Sequence, residues 1–340
     1  MIKYIKDKFK NIDPYAVSEI KNGIYMNANE AFYDTPIEIR EHMAEYIKKN
    51  TFNRYPDADA KRLVRAISKR YVIDEDSITC GVGSDELIDI ILRSSAENKK
   101  VVTISPSFSM YSVFTFMNEG IMIPVSLDDD FNLNLSKMLD VIKKERPIVT
   151  FICNPNNPTG TAIEIKDLEE IAKLDQGILV IDEAYEDFAN NSAIGLLKKY
   201  NNICILKTFS KASALAAIRV GYALSSPDII DLINTVKPPY TLNTISIEMA
   251  SYAMENYHLY DDLIKKTIEN REYLYNEIKD LGVEVYPSKA NFLLTKVSDK
   301  VRNAMVNNNI FLRILGDHTR VSIGSDAENE KFLQVLKENL

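Results

Sequence analysis

Four short runs, far apart along the chain, carry side chains of four different chemical types. Lys211 lies in Thr208-Phe209-Ser210-Lys211-Ala212-Ser213, and Arg219-Val220-Gly221-Tyr222 begins eight residues after it. Asn157-Pro158-Thr159-Gly160 and Asp182-Glu183-Ala184-Tyr185 come before it, with Asp182 25 residues after Asn157 and Lys211 29 residues after Asp182. An amine can form a Schiff base, and a carboxylate can hold a pyridinium nitrogen. An amide and a phenol can donate to a phenolic oxygen, and hydroxyls with a guanidinium can grip a phosphate. Those are the separate requirements of pyridoxal phosphate. One run alone would pass for a surface lysine or a turn; the four together predict a pocket for that cofactor.

Lys211 would hold the cofactor as a Schiff base and then shuttle a proton between the substrate α-carbon and the cofactor. Asp182 closes the apolar run Ile178-Leu179-Val180-Ile181, where an unpaired carboxylate is costly to bury, so a cationic partner is expected there. A protonated ring nitrogen meets that need and keeps the ring an electron sink; a strand-end carboxylate in water or capping the next helix is the competing reading. Tyr185 and Asn157 would donate to the phenolic oxygen. Asn-Pro-Thr-Gly is also ordinary turn chemistry. Gly81-Val82-Gly83-Ser84-Asp85-Glu86 has Glu86 where a dinucleotide fingerprint needs its third glycine. It still suits phosphate, which the backbone N–H groups of Ser84 and Asp85 can receive at a helix start. A plain N-cap by either residue is the alternative. Thr208, Ser210 and Arg219 would complete the cup, with bidentate geometry favouring arginine over lysine.

The elements that must position these residues show in the apolar rhythm. Val101-Val102-Thr103-Ile104, Ile148-Val149-Thr150-Phe151-Ile152, Ile178-Leu179-Val180-Ile181 and Ile203-Cys204-Ile205-Leu206 alternate with amphipathic segments. This predicts βαβ units with buried, mostly parallel strands. Each run leads directly into a motif, and open α/β sheets bind ligands beyond that strand edge. Lys237-Pro238-Pro239-Tyr240 reads as a hinge, because paired prolines cannot continue a helix. Beyond it, an amphipathic stretch around Ile245 to Leu281, strands at 283–286 and 291–294, a helix at 301–309 and strands flanking Asp317 predict a smaller α+β domain. The expected division is an arm at 1–30, a large domain at 31–236 and a small domain at 237–340.

A chain of 340 residues with 46% hydrophobic residues can fill two cores. A net charge of −8 argues against a nucleic-acid surface. Cys80, Cys153 and Cys204 sit singly in apolar runs and read as buried reduced thiols. His42, His258 and His318 lack ligand spacing, so no metal site is expected. The first eight residues hold no signal-length apolar core, and no stretch reaches the roughly 20 apolar residues of a membrane span. A cytoplasmic enzyme without membrane or nucleic-acid partners is expected.

Taken with Asp13-Pro14-Tyr15, Met26-Asn27-Ala28-Asn29-Glu30 and Thr319-Arg320-Val321-Ser322-Ile323-Gly324, the order of the motifs resembles the fold-type I aminotransferases, and among them the histidinol-phosphate aminotransferase family. The resemblance runs through nearly the whole chain. It implies an aspartate aminotransferase-like α/β fold, with the arm packing against the small domain. It implies that Phe108 stacks on the cofactor ring, although a core phenylalanine is the rival reading. Tyr55 matches the tyrosine that reaches the phosphate from a neighbouring subunit, which implies a homodimer; an exposed loop tyrosine is the alternative. Arg320 matches the arginine that clamps the donor carboxylate. Arg313 and Tyr15 resemble the positions that hold substrate phosphate, against ordinary surface roles, and Asn29 lies near the substrate entrance.

The implied reaction moves an amino group from glutamate to imidazole-acetol phosphate, giving histidinol phosphate. Dihydroxyacetone phosphate, giving serinol phosphate for a surface polymer, is an alternative acceptor. A decarboxylase of phosphorylated amino acids shares the same cofactor residues. A regulator's cofactor-binding module is a third reading, disfavoured by the lack of a basic helix-turn-helix extension. Three departures bear on the substrate end. Ala214 and Ala217 stand where the family has glycine, Ala31-Phe32-Tyr33-Asp34 replaces Asn-Pro-Tyr-Gly, and the segment between Arg313 and Arg320 is short.

Overall fold

The computed structural model describes residues 6–9 and 22–340, and among them twelve strands form two sheets. β1 (Ile24–Met26) belongs to the smaller one. The larger is built from β2 (Ile78–Gly81), β3 (Lys100–Ser105), β4 (Ile121–Ser126), β5 (Val149–Cys153), β6 (Ile178–Asp182), β7 (Ile203–Thr208) and β8 (Gly221–Ser225). Its order is β2-β8-β7-β6-β5-β3-β4, and all neighbours are parallel except β8, which runs antiparallel to β2 and β7. The four apolar runs expected as buried strands are β3, β5, β6 and β7.

These runs read as uninterrupted apolar stretches because both faces of the sheet are covered. Ile203 and Ile205 pack with Ile152 and Ile181 on one side, whereas Cys204 and Leu206 pack with Phe151 and Val180 on the other. The first side is covered by α1 (Ile37–Lys49), α2 (Lys61–Tyr71) and the helix Thr244–Glu255. The second is covered by α3 (Gly83–Ser95), α4 (Met110–Met117) and the helix Pro227–Val236.

β9 (Val285–Tyr286), β10 (Phe292–Thr295), β11 (Ile310–Leu315) and β12 (His318–Ser322) complete the smaller sheet, in the order β1-β11-β12-β10-β9. β1 is parallel to β11 and brings Met26 into a core with Leu274 and Phe332. The segment between Arg313 and Arg320 is short because β11 and β12 form a tight hairpin: Leu315 pairs with His318, leaving Gly316 and Asp317 as the turn. Gly316 has φ +61°, which suits glycine. Among the described residues, no helix is long and apolar enough to cross a membrane.

The two cores divide further along the chain than the expected boundary at Lys237. Helix Pro227–Val236 does end there, with Lys237 extended ahead of the prolines (ψ 126°). Yet Leu242, Ile247, Ala250 and Tyr260 pack into the large-sheet core, and beyond the prolines the first fully buried residue of the small-sheet core is Leu274. Prolines stop a helix without specifying which core the next apolar face joins. The single amphipathic stretch expected around Ile245 to Leu281 is three pieces: Thr244–Glu255, a 3-10 turn at Tyr257–Tyr260, and Asp261–Asp280.

One buried cation braces the end of β6. Lys207 Nζ, on β7, lies 3.0 Å from Glu183 and 2.7 Å from Glu186, so both flanks of the Asp182–Tyr185 turn are held. Glu183 also accepts from the Ser192 hydroxyl and the Ala193 N–H. Burial raises the Glu183 pKa and Lys207 opposes that rise. Lys207→Met therefore leaves two buried carboxylates without their cation, and should destabilise the protein by about 3–5 kcal/mol near neutral pH. With the Glu183 pKa raised in the folded state, its penalty applies above that pKa and fades as pH falls through it. Urea unfolding at neutral and mildly acidic pH measures both effects.

Candidate active site

β3, β5, β6 and β7 deliver their C-terminal ends to one edge of the large sheet, where two adjoining cavities lie, the larger of them walled on its far side by β11 and Arg320 of the small sheet. The smaller, about 120 Å³, is lined by Ser84, Asp85, Phe108, Asn157, Asp182, Tyr185, Thr208, Ser210, Lys211 and Arg219, joined by Cys153 and Ala184. Those first ten are the residues expected around the cofactor, apart from Tyr55. The larger cavity, about 610 Å³, shares Phe108, Asn157, Tyr185 and Lys211, and Asn29, Arg313 and Arg320 line it as well. Tyr55 is 82% exposed and stacks on Tyr240 away from both cavities (centroids 4.8 Å apart). Tyr15 lies outside the described residues.

Asp182 is buried at the end of β6. Its carboxylate accepts from the Tyr111 hydroxyl at 2.7 Å and from the Ala184 N–H at 3.1 Å. Among the described residues, no lysine or arginine pairs with it. Burial pushes its pKa up to about 6, against the hydrogen bonds from Tyr111 and Ala184. A buried acid with neutral donors on one side and a cavity on the other can receive a cationic ring nitrogen.

At the opposite end, α3 begins without a side-chain cap: its N-cap is Val82, so neither Ser84 nor Asp85 plays the capping role. Glu86 folds back onto the Val82 N–H at 2.6 Å. The next N–H groups lie in the first turn, where a helix has no carbonyl to receive them. Two glycines let the surrounding chain close in. A Cβ on Gly221 would lie 2.4 Å from the Ser84 nitrogen, and one on Gly83 would lie 2.8 Å from Arg219 Nη2. Arg219 Nη1 donates to Ser210 Oγ at 3.3 Å, and Ser210 Oγ accepts from Thr208 Oγ1 at 3.0 Å. The Asp85 carboxylate lies 3.8 Å from Arg219. This donor set fits a phosphate.

Lys211 Nζ donates to the Ala28 carbonyl at 2.9 Å, between the two cavities. Burial and the Arg320 guanidinium push its pKa down to about 8, so a neutral amine is accessible near physiological pH. The Tyr185 hydroxyl accepts from the amides of Asn29 at 3.0 Å and Asn157 at 3.4 Å. Burial raises the Tyr185 pKa, so the phenol stays protonated. Arg320 Nη1 donates to Asn157 Oδ1, and Nη2 to the Asn27 carbonyl, both at 2.6 Å. Asn29, held at φ +54°, is buried and also bonded to Ser322, so its side chain fixes Tyr185 besides lining the larger cavity. Arg313 sits directly across the β11–β12 ladder from Arg320 and is exposed.

Three participants escaped the sequence reading. Tyr111 stands three residues after Phe108, a spacing that puts both on one side of a starting helix. The carbonyls of Asn27 and Ala28 carried no side-chain signal. The segment after Lys211 also differs from expectation: Ala214 keeps a left-handed backbone at φ +49°, with its carbonyl accepting from Thr35 Oγ1 at 2.9 Å. Alanine there stores roughly 1 kcal/mol that glycine would not.

The family model for aminotransferase class I and II matches residues 21–336. The chain belongs to that family. It is 36% identical over 346 residues to histidinol-phosphate aminotransferase 1 of Carboxydothermus hydrogenoformans, covering 99% of each. The structure of histidinol-phosphate aminotransferase from Sinorhizobium meliloti in complex with pyridoxal-5'-phosphate superposes with a TM-score of 0.91 at 22% identity, over 99% of this chain and 98% of that one. L-threonine-O-3-phosphate decarboxylase from Porphyromonas gingivalis superposes with a TM-score of 0.81 at 20% identity, over 93% and 98%. The fold is therefore common to aminotransferase and decarboxylase, and the family assignment rests on sequence.

The environment of Asp182 sets a pH test of the cofactor-free protein. Its folded pKa, about 6, lies above its ordinary value near 3.8. The charged carboxylate therefore destabilises the fold above about pH 6, and the penalty vanishes below about pH 4, where both states are protonated. Cofactor-free Asp182→Asn should be more stable than the parent by about 1–3 kcal/mol at pH 8 and no more stable at pH 4. Thermal unfolding at the two pH values measures the difference.

Proposed function

We propose that the protein is a pyridoxal-phosphate-dependent aminotransferase that takes an amino group from glutamate and delivers it to imidazole-acetol phosphate, giving histidinol phosphate. The observation that carries the reading is the larger cavity: it reaches Lys211 on one side, and its far wall presents Arg313 and Arg320 across one strand pair. Two guanidiniums suit a substrate bearing phosphate and a donor bearing carboxylate. Full-length similarity to the Carboxydothermus enzyme supports the same substrate.

Bound pyridoxal phosphate supplies a carbonyl for the substrate amine and a ring that takes up electron density from the α-carbon. Asp182 would keep a proton on the ring nitrogen by its negative charge. Asn157 and Tyr185 would donate toward the phenolic oxygen. The first turn of α3, with Thr208, Ser210 and Arg219, would hold the phosphate, and Phe108 would lie against the ring. Lys211 Nζ would hold the cofactor and could accept the substrate α-proton as a free amine; its depressed pKa makes that amine a usable base near neutrality. Arg320 would bind the donor carboxylate, and Arg313 the phosphate of the acceptor.

We also assign a homodimer with shared sites, because Tyr55 and Tyr240 present a stacked aromatic pair outward. The compartment we assign is the cytoplasm, where three buried, unpaired thiols are ordinary.

The test is a pair of half-reactions on the loaded protein, followed by the cofactor's visible absorbance. Glutamate should bleach the band, and imidazole-acetol phosphate should restore it faster than dihydroxyacetone phosphate does. If dihydroxyacetone phosphate is the better acceptor, the substrate assignment is wrong. If glutamate has no effect and a phosphorylated amino acid releases carbon dioxide without any 2-oxo acid, the protein is a decarboxylase.

A further inference from the structure

Among the described residues, Tyr111 is the one fully buried phenol that touches the carboxylate at the centre of the site. Its hydroxyl donates to Asp182 at 2.7 Å. It comes from the first turn of α4, and two aromatic neighbours fix its ring. Phe151 on β5 stacks on it at 4.7 Å with planes 9° apart, and Phe108 meets it edge-on at 5.5 Å. With its face and edge occupied, the ring leaves the hydroxyl little freedom to swing away.

The direction of this hydrogen bond matters. A carboxylate has two oxygens and about four acceptor positions. Tyr111 takes one and the Ala184 N–H takes another, and Asp182 lines the smaller cavity with the remainder. A charged carboxylate accepts from both donors, whereas a protonated one would have to place its own proton as well. The ionisable neighbours oppose the charge: Asp85 at the start of α3 and Glu183 next along the chain both repel it. Cys153 and Tyr185 also face it, and Lys211 shares the cavity.

We propose that Tyr111 is a positioning residue that keeps Asp182 ionised and turned toward the cavity, ready for the ring nitrogen of the cofactor. This rests on the pyridoxal-phosphate reading above. Phe108, on the same aromatic stack, lines both cavities, so one cluster sets the carboxylate and the wall beside it together.

Tyr111→Phe removes the hydroxyl and keeps the ring packing. In cofactor-free protein labelled at the aspartate carboxyl carbons, the Asp182 resonance is identified by its loss in Asp182→Asn and titrated by carbon NMR. The expected result is an upward shift of its titration midpoint by about one to two pH units in Tyr111→Phe. In the same variant, affinity for pyridoxal phosphate near neutral pH should fall about tenfold, and its pH midpoint should move up with that of the carboxyl group. An unmoved Asp182 midpoint overturns the proposal and leaves Tyr111 a packing residue. A shifted midpoint with unchanged cofactor affinity overturns it too, since the carboxylate would then not be prepared for the cofactor. If the parent protein binds no pyridoxal phosphate at all, the functional reading fails and takes this inference with it, whatever the NMR titration gives.

Discussion

A carboxylate is buried at the end of β6 with only neutral donors to hold it, and the rest of the site is arranged around that unfavourable placement. Removing Asp182 from water raises its pKa to about 6, and two further carboxylates, Asp85 and Glu183, push it the same way. A fold tolerates such a group when something it binds supplies the missing charge. The contrast with Lys207 is informative. One residue beyond Asp182, Glu183 is equally buried and does have a lysine, whereas Asp182 faces the smaller cavity.

The sheet topology turns that local feature into a site. Parallel β5, β6 and β7 bring Asn157, Asp182 and Lys211 to one edge although they are widely separated in sequence. Antiparallel β8 then returns Gly221 against the start of α3, which brings the helix N-terminus and Arg219 together at one end of the smaller cavity. The small sheet contributes the far wall. Arg320 reaches across to Asn157, and the Asn27 and Ala28 carbonyls anchor Arg320 and Lys211. The walls of the two cavities thus meet through Asn157, whose amide faces Tyr185 while its carbonyl faces Arg320.

Much of this was legible in the sequence because the amide, carboxylate and amine follow the ends of apolar strands, and because amine, carboxylate, amide and guanidinium have distinct chemical uses. The buried parallel strands showed in the same runs. What stayed hidden depends on distant partners. Tyr111 looks like any aromatic on a helix until β6 is placed beside it, and a backbone carbonyl such as Ala28 leaves no trace in residue type. The prolines at 238 and 239 marked the end of a helix correctly but not the change of core, since the apolar face of Thr244–Glu255 fits the large sheet. Tyr55, expected at the phosphate from a neighbouring subunit, lies away from both cavities of its own chain.

The central claim is that Asp182 exists to meet a positive charge on the cofactor ring. The most direct measurement compares binding of pyridoxal phosphate with binding of its 1-deaza analogue, which keeps the aldehyde, the phenol and the phosphate but replaces the ring nitrogen with carbon. The parent protein should favour the nitrogen-bearing ring by at least about tenfold, as expected for completing a buried charge pair, and Asp182→Asn should lose most of that preference. Equal affinity of the parent protein for the two compounds would contradict the account.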